Sequence, residues 1–160
     1  MPYIKEYKNI IGNILFEKCQ GINEFIGESI INGDYFRDYD EEGKTFFYKI
    51  MGDYYRYLCE VDIYKPKVIN EANKYYNEAL KISNNLPIYN PVKIGLKLNI
   101  SVFYYEVIED KKKAINLAEK SKEKYEKEIV GLNKENDEIQ DAECIYNIIK
   151  ENLDLWKNDK

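Results

Sequence analysis

Histidine is absent from this sequence of 160 residues. Without an imidazole, the chain cannot build a histidine-containing catalytic triad, a histidine metal site or an imidazole general base.

Cysteine is scarce and odd in number, and the wide spacing of Cys19, Cys59 and Cys144 is typical of free, buried thiols rather than of a disulfide framework or a zinc site. An acid and base pair of Asp53 and Glu60 is a poor alternative, because no cofactor motif accompanies it. We therefore expect no enzyme, no metal and no cofactor.

Long apolar runs are also missing. No stretch approaches the roughly 18 consecutive apolar residues of a membrane-spanning helix, and the N-terminus lacks the pattern of a signal peptide. The net charge of -5 argues against nucleic acid and anionic membranes as partners, since both attract basic surfaces. With 44% hydrophobic and 33% charged residues, the sequence predicts a soluble single domain, for which the cytosol is the expected compartment.

Glycine and proline are sparse, and apolar residues recur every three or four positions along nearly the whole chain. This period predicts an all-α fold, an antiparallel array of about six helices. The expected helices cover approximately residues 4–30, 45–61, 68–83, 91–109, 112–131 and 135–156. The middle helices resemble tetratricopeptide pairs in length, but the roughly 34-residue period of those repeats is missing, which favours an irregular array.

Arginine is nearly absent too, since Arg37 and Arg56 are the only two. Arg56 lies in the run GDYYRYL, where helical spacing places four charged side chains on one face: Lys49, Asp53, Arg56 and Glu60. Alternating charges of this kind are typical of a solvated stripe of weak ion pairs. The alternative is a phosphate-binding face, because a guanidinium offers a planar fork of donors that matches phosphate and Tyr57 adds a neutral donor.

Two later helices each carry an apolar stripe that one asparagine interrupts. In the fourth helix the stripe consists of Leu98, Asn99, Val102 and Glu106, and in the sixth it consists of Ile145, Ile148, Asn152 and Trp156. An asparagine amide has donors and an acceptor with which it can hold the backbone of an extended peptide. Each stripe is equally typical of an ordinary core face that tolerates one polar residue.

Four segments closely resemble signature segments of the 14-3-3 family, in the family's order and spacing. They are FFYKIMGDYYRYLCEV, PVKIGLKLNISVFYYEVIED, KKKAINLAEKSKEKYE and IIKENLDLWKND. The resemblance extends from about Ile4 to Lys160. It implies an all-α adaptor without catalytic activity, which binds phosphoserine or phosphothreonine segments of client proteins in a concave groove.

The resemblance also implies roles for individual residues. Arg56 and Tyr57 match the pair that contacts the phosphate, Lys49 matches a lysine of the groove, and Asp53 matches the carboxylate that orients the arginines. Asn99 and Asn152 match the asparagines that hold the backbone of the peptide. The other groove positions implied by the resemblance are Leu98, Val102, Glu106, Ile148, Leu155 and Trp156. Ile148 stands where the family usually has leucine.

By the same resemblance, residues 1–160 form a single domain that lacks the first three of the family's nine helices. The family's phosphate pocket takes a lysine and an arginine from the third helix. At roughly 1.5–3 kcal/mol for each charge-assisted hydrogen bond, their absence predicts phosphate binding that is weaker by about 3–6 kcal/mol. We also do not expect the usual family dimer, which needs those helices, and an apolar face would then be open to another self-association: Ile10, Ile11, Ile14 and Leu15.

Two other interpretations are compatible with these residues. In one, the chain is a helical scaffold that has kept the fold and binds unphosphorylated or acidic protein segments. In the other, the sequence is a fragment of a longer chain.

Overall fold

The computed structural model describes residues 2–59, 65–133 and 135–159. Six α-helices account for most of these residues: α1 (Pro2–Phe25), α2 (Glu41–Leu58), α3 (Lys65–Ile82), α4 (Pro91–Val102), α5 (Lys111–Glu128) and α6 (Asp137–Asn158). Within the described ranges there is no β-strand. The predicted all-α class with six helices is confirmed.

Side-chain caps decide where several helices begin. The Asp40 carboxylate accepts a hydrogen bond from the Gly43 N–H at 2.8 Å, so α2 begins at Glu41 rather than near residue 45 as the apolar period predicted. Asn90 caps α4 and accepts from the N–H groups of Val92 and Lys93, as expected from the Asn-Pro sequence there. Residues 41–44, which the sequence placed outside the second helix, are therefore part of α2.

Two helices change their winding before they end. A π-helical segment, Ile26–Ile31, follows α1, and a second one, Phe103–Val107, follows α4. The sequence predicted each stretch as continuous α-helix, because a wider turn changes the apolar period little over five or six residues. The second segment shifts Tyr105 and Glu106 relative to the face of α4 on which Asn99 lies.

Helix α4 lies at the centre of the array, where it contacts α2, α3, α5 and α6. On one side its Ile94 packs in a core cluster with residues of α5 and α6. On another side Leu96 and Ile100 pack with Ala72 and Tyr76 of α3. Because α4 is held from both sides, its remaining face has a fixed orientation relative to α2 and α6.

Burial separates the cysteines into two kinds. Cys19 and Cys59 are buried in a core cluster with Leu58 and Val68, as predicted. The prediction that Cys144 is buried is wrong, since its side chain is exposed on α6. Ala142 and Ile149 define the buried face of that helix, and at 100° per residue Cys144 lies about 160° from Ala142 and about 140° from Ile149.

An apolar face of α1 is exposed along the middle of the helix. Four of its large side chains are between 36% and 51% exposed: Ile10, Ile11, Ile14 and Leu15.

None of the described helices is long and apolar enough to cross a bilayer.

Gly52 sets the distance between α2 and α3, and its replacement is a test of that packing. A Cβ at this position would lie 2.6 Å from Cδ1 and 2.7 Å from Cε1 of the buried Tyr76 ring. We predict that Gly52→Ala lowers the free energy of unfolding by about 1–3 kcal/mol, because the ring cannot withdraw without breaking its packing. Urea denaturation measures the change.

The matched control is Gly21→Ala, at a helical glycine of α1 where an added Cβ meets no atom within 4 Å. This variant should gain about 0.5–1 kcal/mol from helix propensity alone. An equal gain from both alanines would contradict the close approach of α2 and α3.

Candidate functional site

A buried carboxylate, that of Asp53 on α2, joins three helices. Its Oδ2 forms an ion pair with Lys49 Nζ at 2.8 Å. Its Oδ1 accepts hydrogen bonds from the Tyr76 hydroxyl of α3 and from Asn99 Nδ2 of α4, each at 2.7 Å. Only 8% of Asp53 is exposed, so the interpretation of this face as a solvated stripe is wrong at its centre. Three donors compensate the cost of burying the charge.

Tyr76 is a buried residue of the core cluster between α3 and α4, and its hydroxyl has a second role. Burial raises the pKa of its hydroxyl, and the adjacent Asp53 carboxylate raises it further, so the group stays protonated and donates. The signal that could have identified this contact is Gly52, since a glycine in the middle of a helix indicates close approach of a neighbour. The ring also packs against Phe103, with centroids 5.5 Å apart.

Lys49 reaches Asp53 across the surface of α4. Its Cε lies 3.5 Å from the position that a Cβ would occupy on Gly95, so the absence of a side chain there leaves room for the lysine. The Lys49 side chain is 18% exposed. Its charge is therefore partly compensated by Asp53 but still open to solvent.

Arg56 lies one turn beyond Asp53, with its guanidinium carbon 4.5 Å from the centre of the Tyr57 ring. No carboxylate in the described part of the chain lies within ion-pair distance of it, and its buried Nε has no hydrogen-bond partner there. Burial lowers the pKa of Arg56, but Tyr76 and Asp53 outweigh that effect and raise it. The guanidinium is therefore charged; Tyr76 acts on it both by charge and as a side-chain hydrogen-bond partner, and it has no ion pair with a carboxylate of the described residues. Glu60, the fourth residue of the predicted face, lies outside the described residues.

Helix α4 contributes a half-buried polar and apolar face next to this charge cluster. Asn99 uses one N–H on Asp53, which leaves its second N–H and its carbonyl oxygen for another partner. Leu98 and Val102 are partly buried and pack against the core cluster shared with α5 and α6. Glu106 is exposed on the π-helical segment.

Helix α6 extends the same surface on the other side of α4. Ile148 and Leu155 are exposed, 44% and 68% respectively, while Asn152 is half-buried. Trp156 differs from these, since it is only 8% exposed and stacks on Tyr105 at a centroid distance of 4.4 Å. Its indole therefore forms a wall of the surface rather than a free contact.

A cavity of about 590 Å³ lies at the end of this surface, lined by residues that include Tyr105, Leu155 and Trp156. Asp159 closes one edge, because it accepts hydrogen bonds from the Tyr105 hydroxyl at 2.5 Å and from Lys111 Nζ at 2.6 Å. These two contacts lower the pKa of Asp159, the Lys111 hydrogen bond most strongly. The network connects the end of α6 to the beginning of α5.

The structure thus places the predicted residues on three neighbouring helices. The charged residues Lys49, Asp53 and Arg56 belong to α2, as does Tyr57. The residues predicted to contact a peptide belong to α4 and its π-helical extension (Leu98, Asn99, Val102 and Glu106) and to α6 (Ile148, Asn152, Leu155 and Trp156). Asp53 forms hydrogen bonds with Lys49 and Asn99. It acts on Arg56 through the electrostatic attraction between the two charges.

Removing the Tyr76 hydroxyl tests the three-donor arrangement around Asp53. We predict that Tyr76→Phe lowers the free energy of unfolding by about 1.5–3 kcal/mol, because a hydrogen bond to a buried charged acceptor is lost. The matched control is Tyr125→Phe, since the Tyr125 hydroxyl is equally buried but has no hydrogen-bond partner among the described residues. That variant should be unchanged or up to about 1 kcal/mol more stable. Equal losses in thermal or urea unfolding would show that Asp53 does not depend on Tyr76.

The sequence is similar to known proteins of one family. A family model described as 14-3-3 protein matches residues 1–157. A 14-3-3 protein of Giardia intestinalis is 35% identical over 98% of the chain, which corresponds to 61% of that protein. The 14-3-3 protein 2 of Entamoeba histolytica is also 35% identical over 98% of the chain and 64% of its own length, and homolog 2 of Schistosoma mansoni is 34% identical over 97% and 71%.

The chain therefore spans less than two thirds of the length of the Giardia and Entamoeba proteins. The match covers every element that carries a predicted site residue, from α2 to α6. Sequence, fold and comparison agree, and the chain belongs to the 14-3-3 family.

Proposed function

We propose that the chain is an adaptor that binds phosphoserine or phosphothreonine segments of client proteins along the surface formed by α2, α4 and α6. Family membership supports an adaptor role. The observation that carries the proposal is the state of Arg56. In an acidic chain, its charge lies half-buried without a carboxylate partner in the described residues, although ion pairs are common elsewhere on the surface.

The phosphate is bound at the α2 end of this surface. The Arg56 guanidinium donates two parallel hydrogen bonds to phosphate oxygens, and the exposed Tyr57 hydroxyl donates a third. Lys49 adds positive charge beside them, while Asp53 holds the lysine in place. The aromatic ring of Tyr57 under the guanidinium limits its rotation, which lowers the entropy lost on binding.

The peptide backbone is held by asparagine side chains of two helices. Asn99 offers a second N–H and a carbonyl oxygen, and Asn152 offers a complete amide from α6. Apolar side chains of the peptide lie on the partly exposed residues of both helices: Leu98, Val102, Ile148 and Leu155. The upstream end of the peptide reaches Glu106 and the wall formed by Trp156, at the cavity beside Tyr105.

The affinity of these 160 residues for a phosphate should be modest. Arg56 is the only arginine of this surface, since Arg37 lies in a short turn before α2. Two fewer cations than the family pocket contains predict a loss of roughly 10²–10⁴-fold in affinity. We propose binding rather than catalysis, in the cytosol and without nucleic acid, because family membership supports an adaptor role and the chain is acidic.

A fluorescence titration tests the proposal. The probe is a labelled peptide with phosphoserine, an arginine three residues before it and a proline two residues after it. We predict saturable binding that requires the phosphate and weakens at least tenfold in Arg56→Ala, because the principal donor of the pocket is lost.

The chain offers a matched control in Arg37→Ala, which removes the same charge from the other arginine. Its affinity should stay within about twofold of the parent chain. Equal binding of the unphosphorylated peptide would contradict the proposal and would favour a scaffold for unphosphorylated or acidic segments. An equal effect of the two arginine variants would show that only net charge matters.

A further inference from the structure

Helix α4 has a second cationic side, away from the surface described above. Lys93 and Lys97 are one turn apart on α4, and Lys124 of α5 is close enough to act on both by its charge. Lys97 lies two residues before Asn99, or about 200° around the helix at 100° per residue. The two sides of α4 are therefore separate places, and a ligand on one does not cover the other.

The three lysines differ in how their charges are compensated. Lys93 Nζ donates to the carbonyl oxygens of Asn84, at 3.1 Å, and of Leu86. Lys124 forms an ion pair with Glu128 at 3.5 Å. Lys97 has neither an ion pair nor a hydrogen bond to any of the described residues. It is the uncompensated member of the cluster.

Lys97 is also half-buried, which makes its isolated charge costly. Burial lowers the pKa of Lys97, and the positive charge of Lys124 lowers it further. The pKa of Lys93 is lowered by burial and by both other lysines, while Glu128 and Glu41 act in the opposite direction. An anion placed at Lys97 would relieve this repulsion, so the energetic gain from binding would be larger than at an isolated surface lysine.

A cavity of about 590 Å³ opens at Lys97, between α3 and α4. Its polar lining consists of Lys74, Asn77, Glu78, Lys81, Asn84 and Lys97. We name it the Lys97 cavity. Glu78 is already paired with Lys81 at 2.6 Å, and Lys74 faces Glu71 at 3.6 Å. The backbone carbonyl oxygen of Asn84 accepts from Lys93 Nζ, and Asn77 Nδ2 donates to Asn73 Oδ1 at 3.5 Å. The second N–H of Asn77, the Asn84 amide and Lys97 remain as donors for a ligand.

We propose that the Lys97 cavity binds a compact phosphate-bearing anion, of the class of pyrophosphate, on Lys97 with the amides of Asn77 and Asn84 as further donors. Lys74, Lys81 and Lys97 line the opening with one carboxylate, that of Glu78, so the lining has a net positive charge that suits such an anion, and asparagine amides donate to its outer oxygens. The volume exceeds that of a single phosphate, which leaves space for a second phosphate group or an organic substituent. This site does not depend on the phosphopeptide function proposed above.

Isothermal titration calorimetry with inorganic pyrophosphate at pH 7 tests the proposal, combined with NMR of the chain labelled with ¹³C at lysine Cε. We predict saturable binding with one site in the Lys97 cavity, at a Kd of about 0.1–1 mM, and the largest shift at the Lys97 signal. Lys97→Gln should weaken binding at least tenfold, because the uncompensated charge is removed. Circular dichroism shows whether the Lys97→Gln variant keeps the fold, as expected for a substitution at a half-exposed position.

Two controls locate the bound anion. Lys150→Gln removes a lysine of α6 outside the cavity and should leave the affinity within about twofold, as should Arg37→Ala in the short turn before α2. Loss of binding in Arg56→Ala but not in Lys97→Gln would overturn the proposal, because the anion would then occupy the peptide-binding surface. No saturation by 10 mM pyrophosphate, or equal small shifts at all lysines, would also overturn it.

Discussion

The buried carboxylate of Asp53 is the interaction on which the rest of the site depends. It takes a donor from each of α2, α3 and α4, and together these contacts fix how the three helices face one another. A charge at this depth is tolerated only with such compensation, since removal of one partner of a buried pair typically costs about 3–5 kcal/mol. Gly52, the residue before Asp53, permits the close approach that brings the Tyr76 hydroxyl into reach. Packing and electrostatics therefore depend on the same turn of α2.

This arrangement explains why α4 can serve two kinds of surface. Its buried residues are held between α3 on one side and α5 and α6 on the other, so the helix cannot rotate. Asn99 is then oriented by Asp53 on one side, while Lys97 remains near Lys124 on the other. On the first side, charges are paired or organised around Asp53. On the second, Lys97 lacks a partner among the described residues, as Arg56 lacks a carboxylate partner on the first.

Much of the fold could be predicted, because the apolar period of about 3.6 residues is strong in every helix. The start of α2 could not be predicted, because the Asp40 cap begins the helix before the first residue of the apolar pattern. The π-helical winding after Val102 could not be predicted either. The residue types of the site followed from the run around Arg56 and from the family resemblance. Its connections did not: the partner of Asp53 in α3 is Tyr76, across 23 positions of sequence, and Gly52 indicates a close neighbour without indicating which residue it is. The resemblance placed Trp156 in the groove. Its burial against Tyr105 depends on the π-helical winding of the segment Phe103–Val107, which carries Tyr105.

The most direct test of this account is the phosphopeptide affinity of Asp53→Asn, measured at a temperature where circular dichroism shows the variant to be folded. Asparagine keeps the shape of the side chain but removes the charge that holds Lys49 and accepts from Tyr76 and Asn99. The account predicts a Kd at least tenfold higher than that of the parent chain, although residue 53 itself need not touch the peptide. An unchanged Kd in the folded variant would contradict it, because the groove would then be organised without the buried carboxylate.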